Sequence, residues 1–253
     1  MTSFNYNEKY KISALPCKTD GILDKKLMEP LNFRSGTSIA IIGKAGSGKS
    51  NLLFSLFQSN AVNKDTKEKM NFRNVFDRII IVSPSLKSMT KHCFEGDEEN
   101  LYKFESLGEF LDAYEDILTE NDENDKFETC VILDDIGSQI RTADEQRFNH
   151  FIHNRRHRRV CVFSLLQQFS MIAPQIRDSL NILITFYPQG IVERERIFAY
   201  TAINKKHMTS FYNEIFTKKY DSILIDLTLR NANTFKFYKN LFNPIEIKVP
   251  PMI

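Results

Sequence analysis

Gly43, Lys44, Ala45, Gly46, Ser47, Gly48, Lys49 and Ser50 read GKAGSGKS and satisfy the pattern G-x-x-x-x-G-K-[ST] in full. Glycines at this spacing let the backbone curl until its N–H groups converge on phosphate oxygens. Lys49 is placed to reach the β- and γ-phosphates of a nucleoside triphosphate, and Ser50 to offer an oxygen to Mg²⁺. Such a loop needs a second component, an acidic residue at the end of another strand. The run CVILDD, ending in Asp134 and Asp135, supplies it. Asp134 is expected to hold Mg²⁺, directly or through water, and Asp135 to orient or polarise the attacking water. Phosphoryl transfer asks for positioning and charge stabilisation more than for a strong base. Glu is commoner in the second role. An Asp is one methylene shorter, so its water must sit closer or the backbone must shift. The competing reading of Asp135 is a polar residue closing a strand before Gly137.

These groups need strands and helices to hold them. TSIAII, Thr37 to Ile42, predicts a strand running into the loop, and NLLFSLF after it predicts a helix with Leu52, Leu53, Leu56 and Phe57 on one stripe. Further strands are expected at Arg78–Ser83, stopped by Pro84, at Thr129–Leu133, at Val160–Leu166 ending in Gln167, and at Asn181–Tyr187. Helices are expected near Leu107–Leu118, Asp144–Asn154, Glu193–Tyr200 and Lys206–Phe216. Ser222–Leu229 and Thr234–Tyr238 read as a final strand pair around a turn at Asn231–Asn233. The early strands are continuous apolar runs separated by helices, which predicts an α/β fold: a mostly parallel central sheet with helices on both faces. Residues 1–36 form a polar lead-in with no expected element. The simplest organisation is a 1–36 N-terminal extension and one domain over 37–253.

At 42% hydrophobic and 26% charged the chain is too apolar and too balanced for disorder. A net charge of +2 argues against a general nucleic-acid coat, though not against a local basic surface. The apolar runs fall short of the ~20 residues of a spanning helix, and the first residues lack the apolar segment of a secretory signal. Cys17, Cys93, Cys130 and Cys161 show no ligand spacing and read as small hydrophobes. Glu95–Glu99 and Glu120–Asp125 read as solvated acidic patches. His150, His153 and His157 share a helical face without completing a metal site.

A strand-like run lies between the loop strand and the Asp134 strand, and another strand follows, ending in Gln167, which is expected to contact the γ-phosphate or the water. This layout suits ATPases that couple hydrolysis to movement. The guanine-reading N-K-x-D pattern is not matched by Asn124-Asp125-Lys126. Asn154 to Arg159 reads NRRHRR. Most of these arginines read as a solvated basic loop. The functional alternatives are an arginine finger reaching a neighbour's nucleotide, or contacts to DNA phosphates.

Taken together, GKAGSGKSNLLFSLF, VILDDIG, the Arg156-His157 pair, Gln167 and PQIRDSLNI with Arg177 resemble the poxvirus-type genome-packaging ATPases of large DNA viruses and virophages, in the FtsK/HerA class of DNA pumps. The resemblance covers most of residues 37–190. It implies a P-loop NTPase of the RecA/ASCE-like type that uses ATP and Mg²⁺ to package viral double-stranded DNA into a preformed capsid. It also implies a homo-oligomeric ring at a capsid or portal vertex, acting in the host cytoplasm or viral factory or carried with the virion. Two positions depart from the family pattern: Arg155 where Gly often precedes the Arg-His pair, and Asp135 where Glu is common. Arg156 is the favoured finger and Arg177 the next. Arg177 alternatively caps a strand or pairs with Asp178. Lys205, Lys206, Lys218 and Lys219 are expected either along a DNA path or as scattered solvated lysines. The alternatives to packaging are a plasmid or cellular DNA-transfer ATPase, or a nucleotide-gated assembly factor without motor activity.

Overall fold

The computed structural model describes residues 36–57, 76–86, 100–119, 127–141, 144–201, 203–228, 237–241 and 243–247, with short strand segments at 4–6, 10–11, 61–63 and 69–70. Among these residues the strands are β1 (Phe4–Tyr6), β2 (Tyr10–Lys11), β3 (Ser38–Ile42), β4 (Ala61–Asn63), β5 (Lys69–Met70), β6 (Arg78–Val82), β7 (Leu101–Phe104), β8 (Thr129–Asp134), β9 (Val160–Leu166), β10 (Ile182–Phe186), β11 (Ser222–Asp226), β12 (Phe237–Lys239) and β13 (Asn243–Ile247). The α-helices are α1 (Lys49–Phe57), α2 (Leu107–Thr119), α3 (Glu145–Asn154), α4 (Pro174–Arg177), α5 (Ile191–Ala199) and α6 (Met208–Ile215).

One sheet runs in the order β1-β13-β12-β11-β10-β3-β9-β8-β6-β7, and β2-β4-β5 form a separate small sheet. From β10 to β7 every pairing is parallel. From β10 through β11, β12 and β13 to β1 every pairing is antiparallel. The fold is thus the expected α/β type, a largely parallel sheet extended by antiparallel strands near the C-terminus.

Alternation along each strand builds two cores. Ile39 and Ile41 face one side with Ile79, Ile81 and Ile132, where Leu53, Leu56 and Phe57 of α1 cover them. Ala40 and Ile42 face the other side with Val131 and Leu133, under Phe110 of α2, Phe151 of α3, Phe198 of α5 and Phe211 of α6. Because both faces are covered, β3, β6 and β10 are buried at every residue, which is why they read as unbroken apolar runs. Many of the phenylalanines pack as edge-on pairs, such as Phe110 on Phe151 at 5.1 Å between ring centres.

Three strands of the large sheet were not expected from the sequence, nor were the three of the small sheet. β7 is four residues long and sits at the sheet edge beside β6. β13 begins Asn243-Pro244, and Pro244 lies opposite Tyr238 within the sheet, where proline is ordinarily disfavoured. β1, inside the polar lead-in, pairs with β13. The acidic patches at 95–99 and 120–125, the turn at 231–233, Cys17 and Cys93 lie outside the described residues. Cys130 and Cys161 are buried, unbridged neighbours on β8 and β9. Burial raises both thiols, Cys161 to about 11, as suits small core side chains.

The phosphate loop and its carboxylates

β3 ends at Ile42, and Gly43 N donates to Leu166 O of β9 at 3.0 Å, so the loop leaves the sheet at the C-terminal edge of the parallel strands. That edge is where open α/β sheets bind ligands. The loop turns back at once: Ser47 N donates to Lys44 O at 3.1 Å and Leu52 N to Gly48 O at 2.8 Å, which starts α1. Gly48 has φ +101°, a conformation that a side chain strains. The turn aims Lys49 back over the loop, where its Nζ donates to Gly43 O at 2.6 Å and Lys44 O at 3.2 Å. Ser47 Oγ is buried and makes no hydrogen bond among the described residues. A buried hydroxyl in that state calls for a polar partner.

β9 lies between β3 and β8. β8 therefore delivers Asp134 and Asp135 to the same edge, one strand removed from the loop. Ser83, at the tip of β6, donates from Oγ to Asp134 Oδ2 at 3.3 Å. Burial raises the Asp134 carboxyl above its ordinary value. The Ser83 hydrogen bond lowers it, the Asp135 charge raises it, and the Lys49 charge lowers it. Burial lowers the Lys49 ammonium, opposed by the charges of Asp134 and Asp135. Each group thus feels the others electrostatically. A half-buried carboxyl raised by desolvation gains most from a nearby cation.

Asp135 has φ +53°. Asp and Asn tolerate this left-handed conformation better than longer side chains, because the short polar group bonds locally. Here is a physical reason for Asp where Glu is common: the backbone turns at this position, and the shorter side chain fits the turn. Asp135 N donates to Leu165 O at 3.2 Å, tying the turn to β9. At the tip of β9, Gln167 Nε2 donates to Asp135 Oδ1 at 3.0 Å. Lys49, Asp134, Asp135 and Gln167 are therefore brought together by three adjacent strands.

Arg156 and Arg177 stand elsewhere. The turn at 155–159 precedes β9 and joins its N-terminal end, with Val160 N donating to Arg155 O at 2.9 Å. The phosphate loop lies at the other end of a seven-residue strand, about 23 Å away at ~3.3 Å per residue. Arg156 is exposed there. Gly36, with φ +78°, abuts it so closely that a Cβ would lie 2.6 Å from Arg156 Cα. The rest of this basic turn is not a uniform solvated loop. Arg155 is 3% exposed. It donates to Ile152 O at 2.5 Å, Ser179 O at 2.7 Å and Asn181 Oδ1 at 3.3 Å. Burial lowers its guanidinium to about 10, and the Arg156 charge adds to that. Arg158 pairs with Glu115 at 2.6 Å and Arg159 with Glu128 at 3.8 Å. Arg177 donates to Ile172 O at 2.7 Å and Ser170 O at 3.3 Å and lies 5.1 Å from the Phe169 ring centre. In this chain it braces the connection that follows Gln167. His150, His153 and His157 are exposed.

Sequence reasoning gave no role to Ser83, because its link to Asp134 depends on β6 lying beside β8. Nor did it find Tyr220, whose ring lies beside the phosphate loop: a Cβ built on Gly48 would meet Tyr220 Cδ1 at 3.5 Å.

A family model described as Poxvirus A32 protein matches residues 29–226. No curated protein matches the sequence significantly. The chain is similar to the solved structure of the genome packaging NTPase B204 from Sulfolobus turreted icosahedral virus 2 in complex with AMPPCP, at 14% identity and TM-score 0.55, over 81% of this chain and 98% of that one. It is also similar to B204, the DNA-packaging ATPase from Sulfolobus turreted icosahedral virus, at 15% identity and TM-score 0.54, over 81% and 98%. At such identities the likeness is one of fold.

Proposed function

The chain belongs to the Poxvirus A32 protein family, and from that premise we propose that it is a viral genome-packaging ATPase that works as a homo-oligomeric ring, using ATP hydrolysis to drive double-stranded DNA into a preformed capsid. The observation that carries this reading is the convergence of Lys49, Asp134, Asp135 and Gln167 at one sheet edge. A strand separates the loop from the carboxylates, and its own tip residue touches one of them. A water or phosphate oxygen at Gln167 thereby communicates with the carboxylate that orients the nucleophile.

In this reading the phosphates lie against the 43–50 loop, and Lys49 exchanges its contacts with Gly43 O and Lys44 O for phosphate oxygens. The partnerless Ser47 hydroxyl fits a loop built for an anion. Ser50 and Asp134 would hold Mg²⁺. Their all-oxygen donor set suits a hard cation, and a carboxyl already raised by burial is one that a cation would favour. When bound, Mg²⁺ neutralises charge on the β- and γ-oxygens. Asp135 orients the water, and Gln167 fixes Asp135. Arg156 cannot reach the loop of its own chain, so its role as a finger requires a neighbouring copy in head-to-tail contact, the kind of contact that closes into a ring. Arg155 seats that turn from within. Arg177 acts on the site through the segment after Gln167.

The partners in this reading are double-stranded DNA and the capsid or portal vertex, met in the host cytoplasm or viral factory or within the virion. Among the described residues no helix is long and apolar enough to cross a membrane. Lys205 pairs with Glu195 at 2.9 Å and Lys219 lies over the Tyr220 ring, which leaves Lys206 and Lys218 as the better candidates for DNA-phosphate contacts.

The test is steady-state ATP hydrolysis with and without double-stranded DNA, across a range of protein concentrations. Turnover per chain should rise several-fold with DNA, and should rise with protein concentration as rings form. Hydrolysis indifferent to DNA would contradict the motor and favour an assembly factor gated by nucleotide.

A further inference from the structure

We propose that Tyr220 is the platform on which the base of the bound nucleotide stacks, an inference that rests on the proposed nucleotide site and adds to it the group that holds the other end of the ligand. Tyr220 is 56% exposed, unusual for a large aromatic in a protein whose phenylalanines, among the described residues, are mostly core. Its ring lies against the phosphate loop: a Cβ on Gly48 would meet Tyr220 Cδ1 at 3.5 Å and the Phe186 ring at 3.7 Å.

The direction of the ligand follows from strand order. Asp134, Asp135 and Gln167 stand on the β9 and β8 side of β3. A triphosphate whose γ-end faces them directs its sugar and base to the opposite side, toward β10 and β11. Tyr220 is on that side, two residues ahead of β11.

The backbone there is built to present it. Tyr220 has φ +72°, a costly conformation for a bulky residue. Strain of this kind persists only where the surroundings over-determine it, and it clusters at ligand sites. The surroundings here are a buried knot around the next residue. Asp221 Oδ2 accepts from Thr217 N at 2.9 Å, Thr217 Oγ1 at 3.1 Å and Lys218 N at 2.8 Å. It also pairs with Lys239 Nζ at 3.2 Å, both side chains being 4% exposed. Asn240 Nδ2 donates to Asp221 Oδ1 at 3.3 Å. With residues 217, 218 and 221 pinned, Lys219 and Tyr220 are held outward at the loop's flank. Lys219 Nζ lies 4.8 Å from the Tyr220 ring centre, over one face of the ring, with a charge that also suits a phosphate-bearing ligand and the other face left to the base. Stacking on a tyrosine reads a π-face rather than a hydrogen-bonding edge, so it holds any base and selects weakly among them.

Calorimetric titration of the full chain with ADP and, separately, with inorganic tripolyphosphate tests this. Tyr220→Ala should weaken ADP by about 10-fold or more while leaving tripolyphosphate within a factor of about two. Tyr220→Phe should bind ADP like the wild type. Tyr220→Gly, which adopts φ +72° without strain, should reproduce the loss seen with alanine and guards against misfolding of that variant. Unchanged ADP affinity in the alanine and glycine variants would overturn the proposal. So would an equal loss for ADP and tripolyphosphate, because Tyr220 would then support the loop and not the base. A wild-type chain that bound neither ligand would instead overturn the nucleotide site itself.

Discussion

In Asp135→Asn, ATP should remain bound with near wild-type affinity while turnover falls by about 10²–10³-fold, the range found when one positioned electrostatic group is removed from a transition state. Asparagine is the informative replacement because it disturbs little else. It tolerates the φ of +53° at this position, and its side-chain oxygen still accepts from Gln167 Nε2, which now lies 3.0 Å from Asp135 Oδ1. What it removes is the charge that, in the proposed mechanism, orients and polarises water. Binding of a slowly hydrolysed analogue and single-turnover hydrolysis, measured on the same preparation, separate the two effects. Wild-type hydrolysis in the variant would show that Asp135 merely closes β8. A parallel loss of binding would show that it serves the loop rather than the water.

Lys49→Ala should remove turnover by a factor of about 10³ and, unlike Asp135→Asn, should also weaken tripolyphosphate. The lysine is the first residue of α1, and the Gly48 turn directs its ammonium over the carbonyls of Gly43 and Lys44. Burial lowers its ammonium, and the charges of Asp134 and Asp135 oppose that without cancelling it. In the proposed site, removing it takes away the cation between phosphate and carboxylates and leaves two carboxylates to repel an incoming polyanion. Helix content and the denaturation midpoint should stay near wild type, because no core contact is lost. Retained hydrolysis in a folded Lys49→Ala chain would mean that the chemistry lies elsewhere in the protein.

The reach of the sequence differed by the range of the interaction. The phosphate loop is a local pattern whose glycine turns, lysine and serine follow one another, and it was legible in eight letters. The buried strands were legible because sheets covered on both faces force unbroken apolar runs. Strand order depends on contacts between segments far apart in the chain, so the neighbour relations of Ser83 with Asp134 and of Gln167 with Asp135 emerged only with the fold. The same limit concealed Arg155. NRRHRR looks uniformly basic, yet one arginine in it is a buried strut for three acceptors while Arg158 and Arg159 hold carboxylates. Its departure from the family's glycine is thus explained by packing. The substitution of Asp for Glu at 135 has a backbone cause that only φ reveals. β13 was hidden by Pro244, and β1 by the polarity of the segment around it. Tyr220 carried no sequence signal at all, since its significance rests on lying beside Gly48, 172 positions earlier in the chain.

The ring is the claim on which the proposed role of Arg156 depends, because Arg156 and the phosphate loop of one chain lie at opposite ends of β9 and can cooperate only between copies. Arg156→Ala and Asp135→Asn should each be inactive alone in DNA-stimulated ATP hydrolysis. Mixed in equal amounts and allowed to exchange, they should recover about one quarter of the wild-type rate, since random head-to-tail assembly puts an intact Asp135 next to a neighbour's intact Arg156 at about one interface in four. No recovery in mixtures shown to contain both variants in one oligomer would contradict an active site completed by an adjoining copy.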